Sequence, residues 1–385
     1  MELRITGGRA LTDDGLIETP VDVSIADGLI AEVGVDVGAK RTLDAEGLLL
    51  LPGIVDIHGD AFERQMMPRP GVNLALDIAL IDTDRQLIAN GITTAFHGVT
   101  WSWEPGLRGA ENARGMLEAI ESLRSRLAAD TRFHLRYETF NLEAEPEVCD
   151  WLDQRRIGAL AFNDHMPAPG SEVSRPDRIA QIAGRAGLDR DDFLALVARL
   201  RARGNEVPEA LARIAARASL AGVPMLSHDD ASPEQRRWFR GLGCRVSEFP
   251  MNVETARAAA TAGDHIVLGA PNVVRGKSHI GWLSAREMVA QDLCTILASD
   301  YYYPAPLVAA FGLVEAGIAP LPRAWSLVST APARAVNLHD RGRIEAGLRA
   351  DLILVDPTVT GRPRVVAVLV AGGIVYLNEP DRIAN

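Results

Sequence analysis

The sequence predicts an α/β fold: a (β/α)8 TIM barrel with a small flanking β-sandwich domain built from both termini. Three observations carry this. Eight apolar runs rich in Val, Ile, Leu, Phe and Ala alternate with helix-like stretches through the middle of the chain. Those runs lack strict polar alternation, as suits parallel strands covered on both faces. The two ends read differently, as short alternating strands broken by Gly, Asp and Pro.

Taken in order, residues 1–50 are strand-like but too few to close a sandwich alone. The same holds for 341–385, so the two ends are assigned together as the small β domain. Residues 51–340 form the barrel. Its strands are expected in LLLPGIVDIHGD, ITTAFHGV, RFHLRYETF, IGALAFNDH, VPMLSHDD, CRVSEFP, HIVLGAP and CTILASDYY. Helical stretches lie between them, several opened by capping residues at Asp77, Ser232, Asn252 and Ser284. An open doubly wound sheet is the rival fold. It is disfavoured because no GxGxxG or GxxxxGK[ST] follows a strand. Met166 to about Arg190, with PAPG, SRP and RAG, reads as an irregular lid or insertion.

Composition narrows the function. A chain of 385 residues that is 47% hydrophobic and 24% charged is globular. No signal peptide opens it, and no apolar run reaches the length of a membrane span. Cys149, Cys244 and Cys294 are scattered and odd in number, which fits buried thiols in a reducing cytoplasm. A net charge of −11 excludes a general nucleic-acid binder. A small anionic substrate is compatible with it, since a local cluster of arginine and metal can overcome a distant field. Lys40 and Lys277 are the two lysines of the chain.

Polar residues gather at the predicted C-terminal strand ends, where parallel barrels carry their active sites. His58 and Asp60 close the first strand, two residues apart and so on one side of it. Glu138 closes the third, Asp164 and His165 the fourth, and His228, Asp229 and Asp230 the fifth. Asp300 closes the eighth. A lone histidine at such a place is usually a hydrogen-bonded structural residue, and a lone aspartate is often a helix cap. Six together, His58, Asp60, Glu138, His165, His228 and Asp300, are better explained as ligands of divalent metal. Mixed imidazole and carboxylate suit Zn, Mn, Fe, Co or Ni, and the set is rich enough for two ions. His97 and Glu248 are read as supporting residues. His134, His265 and His339 are read as structural.

These segments carry a resemblance. LPGIVDIHGD followed by strands bearing His, His and Asp resembles the amidohydrolase superfamily. Asp60 in place of its usual second histidine, with PRPGV, GITT, SHDDASPE, SEFP, GAPNVVRGKSH and SDYYYP, resembles the phosphonate-metabolism diphosphatase family. The likeness spans nearly the whole chain. It implies two divalent metal ions, Zn first and Mn, Fe or Co as alternatives. Many superfamily members bridge such ions with a modified lysine, but Lys40 and Lys277 lie at the wrong places. A carboxylate must then bridge, and Glu138 is the candidate. His58, Asp60 and Asp300 are assigned to one metal, His165 and His228 to the other.

The resemblance further implies hydrolysis of α-D-ribose 1-methylphosphonate 5-triphosphate, or a related ribosyl triphosphate, to the 5-phosphate and pyrophosphate. Asp300 and Glu138 are then the catalytic residues. Arg64, Arg69, Arg275, Lys277 and His279 would neutralise this sugar-phosphate substrate at the barrel mouth. Family members usually continue SPGQRQF after the fourth strand, where this chain has MPAPGSEVSRP. They usually have glycine where Lys277 stands. The metal chemistry is untouched by these departures; the sugar and phosphate contacts are not. A C–N hydrolase (deacetylase, cyclic amidase or deaminase) is the alternative activity, and a non-catalytic binding protein a third reading. Apolar barrel helices could also support a homodimer.

Overall fold

The computed structural model describes residues 2–12, 15–34, 38–69, 71–276, 284–358 and 362–384. Six strands precede the barrel: β1 (Leu3–Thr12), β2 (Gly15–Leu16), β3 (Val21–Ala26), β4 (Leu29–Val33), β5 (Arg41–Asp44) and β6 (Leu49–Pro52). The barrel strands are β7 (Ile54–Gly59), β8 (Ile92–Trp101), β9 (Asp130–Glu138), β10 (Ala159–Asn163), β11 (Met225–His228), β12 (Val246–Glu248), β13 (His265–Gly269) and β14 (Ile296–Ala298). Four more close the chain: β15 (Leu352–Asp356), β16 (Arg364–Val370), β17 (Gly373–Leu377) and β18 (Ile383–Ala384).

The terminal strands form a separate, mostly antiparallel sheet system, as the sequence predicts. β15 joins the two ends, pairing with β6 on one side and β16 on the other. β1 serves four partners. Its first half runs antiparallel to β3 and parallel to β5, and its second half runs parallel to β6 at Arg9 and Ala10 and antiparallel to β2 at its end. The change falls at Gly7, whose φ of +73° suits a residue without Cβ. Ile5, Val23, Ile25, Leu50, Leu352 and Leu354 fill the core beneath. Burying each contributes roughly 1.5–3 kcal/mol.

β7 to β14 follow one another in sequence order as an eight-stranded parallel sheet. Its ends meet: β14 lies beside β7, with a parallel bridge between Gly59 and Asp300. The apolar runs explain why these segments are interior. All ten residues of β8 and all five of β10 are buried. Gly53 lies between β6 and β7. A Cβ there would lie 2.2 Å from the Thr93 hydroxyl oxygen, so no larger residue fits without a shift.

Ser232, Asn252 and Ser284 cap their helices as expected, each accepting a hydrogen bond from the backbone three residues on. Asp77 does not. The helix Leu76–Ala89 begins one residue earlier, and Asp77 lies in its first turn, where its carboxylate meets the helix's positive end. Residues 166–190 also differ from the irregular lid anticipated. They contain helices Ser171–Ser174 and Pro176–Ala186. Ile179 and Ala183 recur at helical spacing and bury against Phe193 and Val197, with Met166 and Trp103 alongside.

Contacts divide the chain into two compact units. One comprises residues 1–96, 123–132 and 265–385; the other comprises 97–122 and 133–264. Cys149, Cys244 and Cys294 are free thiols, the last two buried. Among the described residues, no helix is long and apolar enough to cross a membrane.

Gly53→Ala should destabilise the protein by about 1–3 kcal/mol through overpacking against Thr93. Urea unfolding measures this; an unchanged midpoint would show that the β6–β7 link tolerates a side chain.

Candidate metal centre

In the first unit, the seam between β7 and β14 sets three candidate ligands side by side. The Asp300 amide donates to the His58 carbonyl at 2.9 Å, and the Asp60 amide donates to the Asp300 carbonyl at 2.9 Å. Asp300 takes φ +55°, a left-handed backbone that a non-glycine residue adopts at a cost. Its carboxylate lies over Gly269, where an added Cβ would come within 3.1 Å of Oδ2. Asp56, two residues before His58, braces the seam from below. It accepts hydrogen bonds from the Ser299 amide at 2.9 Å and the Ser299 hydroxyl at 2.5 Å. Burial pushes the Asp56 carboxyl up to about 6 against those hydrogen bonds. Gly59 must lack a side chain: a Cβ would lie 2.7 Å from Asp56 Oδ2 and 2.9 Å from Ser299 Oγ.

Arg64 and Arg275 meet at one residue beside this seam. Arg64 donates to the Tyr301 carbonyl, and Arg275 Nη1 lies 3.5 Å from the Tyr301 hydroxyl. Arg69 is exposed on the loop after β7. Lys277 and His279 lie outside the described residues.

In the second unit, register builds the site. Glu138 pairs with Asn163 across β9 and β10, and His228 with Glu248 across β11 and β12. Their neighbours Tyr137 and Phe162 turn the other way, Phe162 stacking on helical Phe239 at 6.0 Å. Strand alternation therefore sends Glu138 and Asn163 inward. Glu138 is 2% exposed; one oxygen lies 2.6 Å from His165 Nδ1 and the other accepts the His165 amide at 3.1 Å. Burial alone would raise the Glu138 carboxyl, but these His165 contacts hold it below its ordinary value. His165 Nε2 faces Asp229 Oδ2 at 3.5 Å, and His228 Nε2 lies 3.8 Å from the same oxygen. Burial pulls the His165 imidazole down, yet Asp229 and Glu138 together push it up to about 9.

His165, His228 and Asp229 present donor atoms that all lie within 4.8 Å of one another. The chemistry of the set fits a divalent cation: two imidazoles and a carboxylate share one point, with Glu138 and Glu248 adding negative charge behind them. Glu248 lies 3.2 Å from His228 Nδ1, fixing the ring so that Nε2 faces the cluster. Burial pushes the Glu248 carboxyl up to about 7. His97 is fully buried, and desolvation lowers its imidazole to about 4.

Three participants escape the ligand set drawn from sequence. Asp229 shares the cluster, and the doubled acid in SHDD was its signal. Arg136 is 4% exposed, and its guanidinium lies 3.1 Å from His228 Nε2. The two-residue spacing of His134, Arg136 and Glu138 shows that all three share one strand face. Asp230 does not face the cluster. It accepts from Ser227 Oγ at 2.7 Å, Ser247 Oγ at 2.9 Å and Arg236 Nη1 at 3.2 Å, tying β11 to β12 directly beneath His228 and Glu248.

No family model matches the chain. It is 34% identical over 326 residues to α-D-ribose 1-methylphosphonate 5-triphosphate diphosphatase of Escherichia coli K12, covering 82% of this chain and 85% of that one. It is 24% identical to a dihydroorotase of Citrifermentans bemidjiense over 93% of this chain and 90% of that one. Among solved structures, an amidohydrolase superposes with a TM-score of 0.66 at 14% identity, covering 98% of this chain and 99% of that one.

Asp230→Ala should cost about 3 kcal/mol, because it removes the nearer of the two carboxylates at the buried Arg236 guanidinium and frees both serines. Chemical denaturation tests this; a loss below about 1 kcal/mol would show that Asp264 and the Cys244 carbonyl suffice for Arg236.

Proposed function

The chain belongs to the α-D-ribose 1-methylphosphonate 5-triphosphate diphosphatase family of the amidohydrolase superfamily, and from that premise we propose how its residues act. It is a metal-dependent hydrolase that cleaves a ribosyl 5-triphosphate between the α and β phosphorus atoms. Products are the 5-phosphate and pyrophosphate. The 34% identity across most of both chains carries this reading.

We assign His58, Asp60 and Asp300 to one divalent ion, and Glu138, His165 and His228 to another. Asp229 joins His165 and His228. Zinc suits these donors, with Mn, Fe or Co as alternatives. Such ions, when bound, draw charge from phosphoryl oxygens and acidify water. The rest falls to the chain. Asp300 receives the proton of the attacking water, its carboxylate held in place by the β7–β14 seam. The water oxygen bonds to the α-phosphorus, and pyrophosphate leaves with the bonding electron pair. Arg64 and Arg275, gathered at Tyr301, neutralise the polyphosphate, and Arg69 adds to them. We place the reaction in the cytoplasm, with a homodimer as the possible assembly.

Purified protein should release pyrophosphate from a ribosyl 5-triphosphate, lose that activity on chelation and regain it with Zn or Mn. Asp300→Asn should lower kcat by roughly 10²–10⁴-fold. Turnover of a cyclic amide, with none on any phosphoanhydride, would instead place the chain with the dihydroorotase-like hydrolases.

A further inference from the structure

One polar side chain in the site has no role in the scheme above. Asn163 ends β10 and is 0% exposed. Among the described residues, neither its Nδ2 nor its Oδ1 has a hydrogen-bond partner. Its backbone is spoken for, the carbonyl accepting from the Thr139 amide at 2.9 Å. The other residues of the strand are Ala159, Leu160, Ala161 and Phe162, all buried. An apolar residue at 163 would avoid the desolvation of a donor and an acceptor together. The carboxamide is therefore kept for a ligand.

Its direction and neighbours say which. Phe162 packs outward on Phe239, so Asn163 points inward. It registers with Glu138, and one step beyond the pairing of Phe162 with Ser227 comes His228. The carboxamide thus stands between a candidate ligand carboxylate and a candidate imidazole ligand. A cation would satisfy Oδ1 alone. A phosphoryl oxygen would satisfy Nδ2 alone. Water satisfies both, donating one hydrogen to Oδ1 and accepting from Nδ2 through one lone pair.

We infer that Asn163 is a catalytic residue that holds and orients the hydrolytic water. This rests on the hydrolase reading above. The balance is complete: the water's second hydrogen is the proton given up to a base, and its second lone pair forms the bond to phosphorus. The P–O bond to pyrophosphate breaks as that bond forms.

The test compares Asn163→Leu with Asn163→Ala. Leucine fills the space with an apolar group and excludes water; alanine leaves room for water to return. Asn163→Leu should lower kcat roughly tenfold to a hundredfold, the effect of one or two lost hydrogen bonds to the reacting oxygen, with KM within about twofold. Asn163→Ala should keep more activity than Asn163→Leu. A packing role predicts the reverse order, since alanine leaves a cavity, and finding that order would overturn the inference. So would a loss of bound metal in Asn163→Leu measured by elemental analysis. A high-resolution crystal structure of the wild-type protein gives an answer that does not depend on substrate. Water within hydrogen-bond distance of both Nδ2 and Oδ1 supports the inference even if no phosphoanhydride is cleaved; a carboxamide paired to protein groups refutes it.

Discussion

The backbone pairing at Gly59 and Asp300 is the constraint on which the rest depends. A parallel sheet closes on itself only where its last strand finds its first, and here that seam also sets three candidate ligands side by side. The Asp300 amide and carbonyl bond on either side of Gly59, so Asp300 cannot move without releasing both His58 and Asp60. The cost is visible in the left-handed backbone of Asp300. It is visible too in Gly59, the one residue type that leaves room for Asp56 and Ser299 beneath it. Closure and ligand placement are the same hydrogen bonds.

The second unit solves the same problem by register. Parallel strands in one-to-one pairing present a row of inward side chains at equal height. Glu138, Asn163, His228 and Glu248 occupy such a row. Two further left-handed residues, Asp229 and Phe249, follow directly on His228 and Glu248. They turn the chain sharply at the strand ends, which brings the Asp229 carboxylate back toward both imidazoles. The result is a surplus of buried acid. Asp229 and Glu138 push the His165 imidazole up to about 9 against its burial. A divalent cation can accept both imidazoles and the carboxylate together.

Much of this was legible because strands and ligands leave different signatures. Buried parallel strands need unbroken apolar runs, and all eight runs are strands of the barrel sheet. What failed was finer. LLLP and IVDIHG read as one run, although the glycine between them separates a strand of the terminal sheet from the first barrel strand. The stretch at 166–190 looked irregular because Pro and Gly punctuate it; the apolar residues at helical spacing inside PDRIAQIAGRA were the better guide. Asp229 and Asp230 are neighbours of like chemistry, yet one faces the imidazoles and the other anchors two strands. Only the backbone turn at Asp229 separates them. Asn163 was invisible for a different reason: an asparagine ending an apolar strand looks like a helix cap, and its lack of a partner appears only in three dimensions.

The ligand rows and the seam are fixed by backbone pairing, so altering one residue there disturbs its neighbours across several strands. Segments after the strands carry no such obligation, and it is there that this chain departs from the diphosphatase pattern, after His165 and around Lys277. The 166–190 segment is not draped loosely after β10. It has its own small core of Ile179, Ala183, Phe193 and Val197, and Arg201 reaches back to the Pro167 carbonyl. A segment with a core presents a preformed surface, and preformed surfaces discriminate by shape before any contact is induced. Where the usual loop carries Gln-Arg-Gln, this chain thus folds a segment around its own core, while the candidate ligands stay on paired backbone.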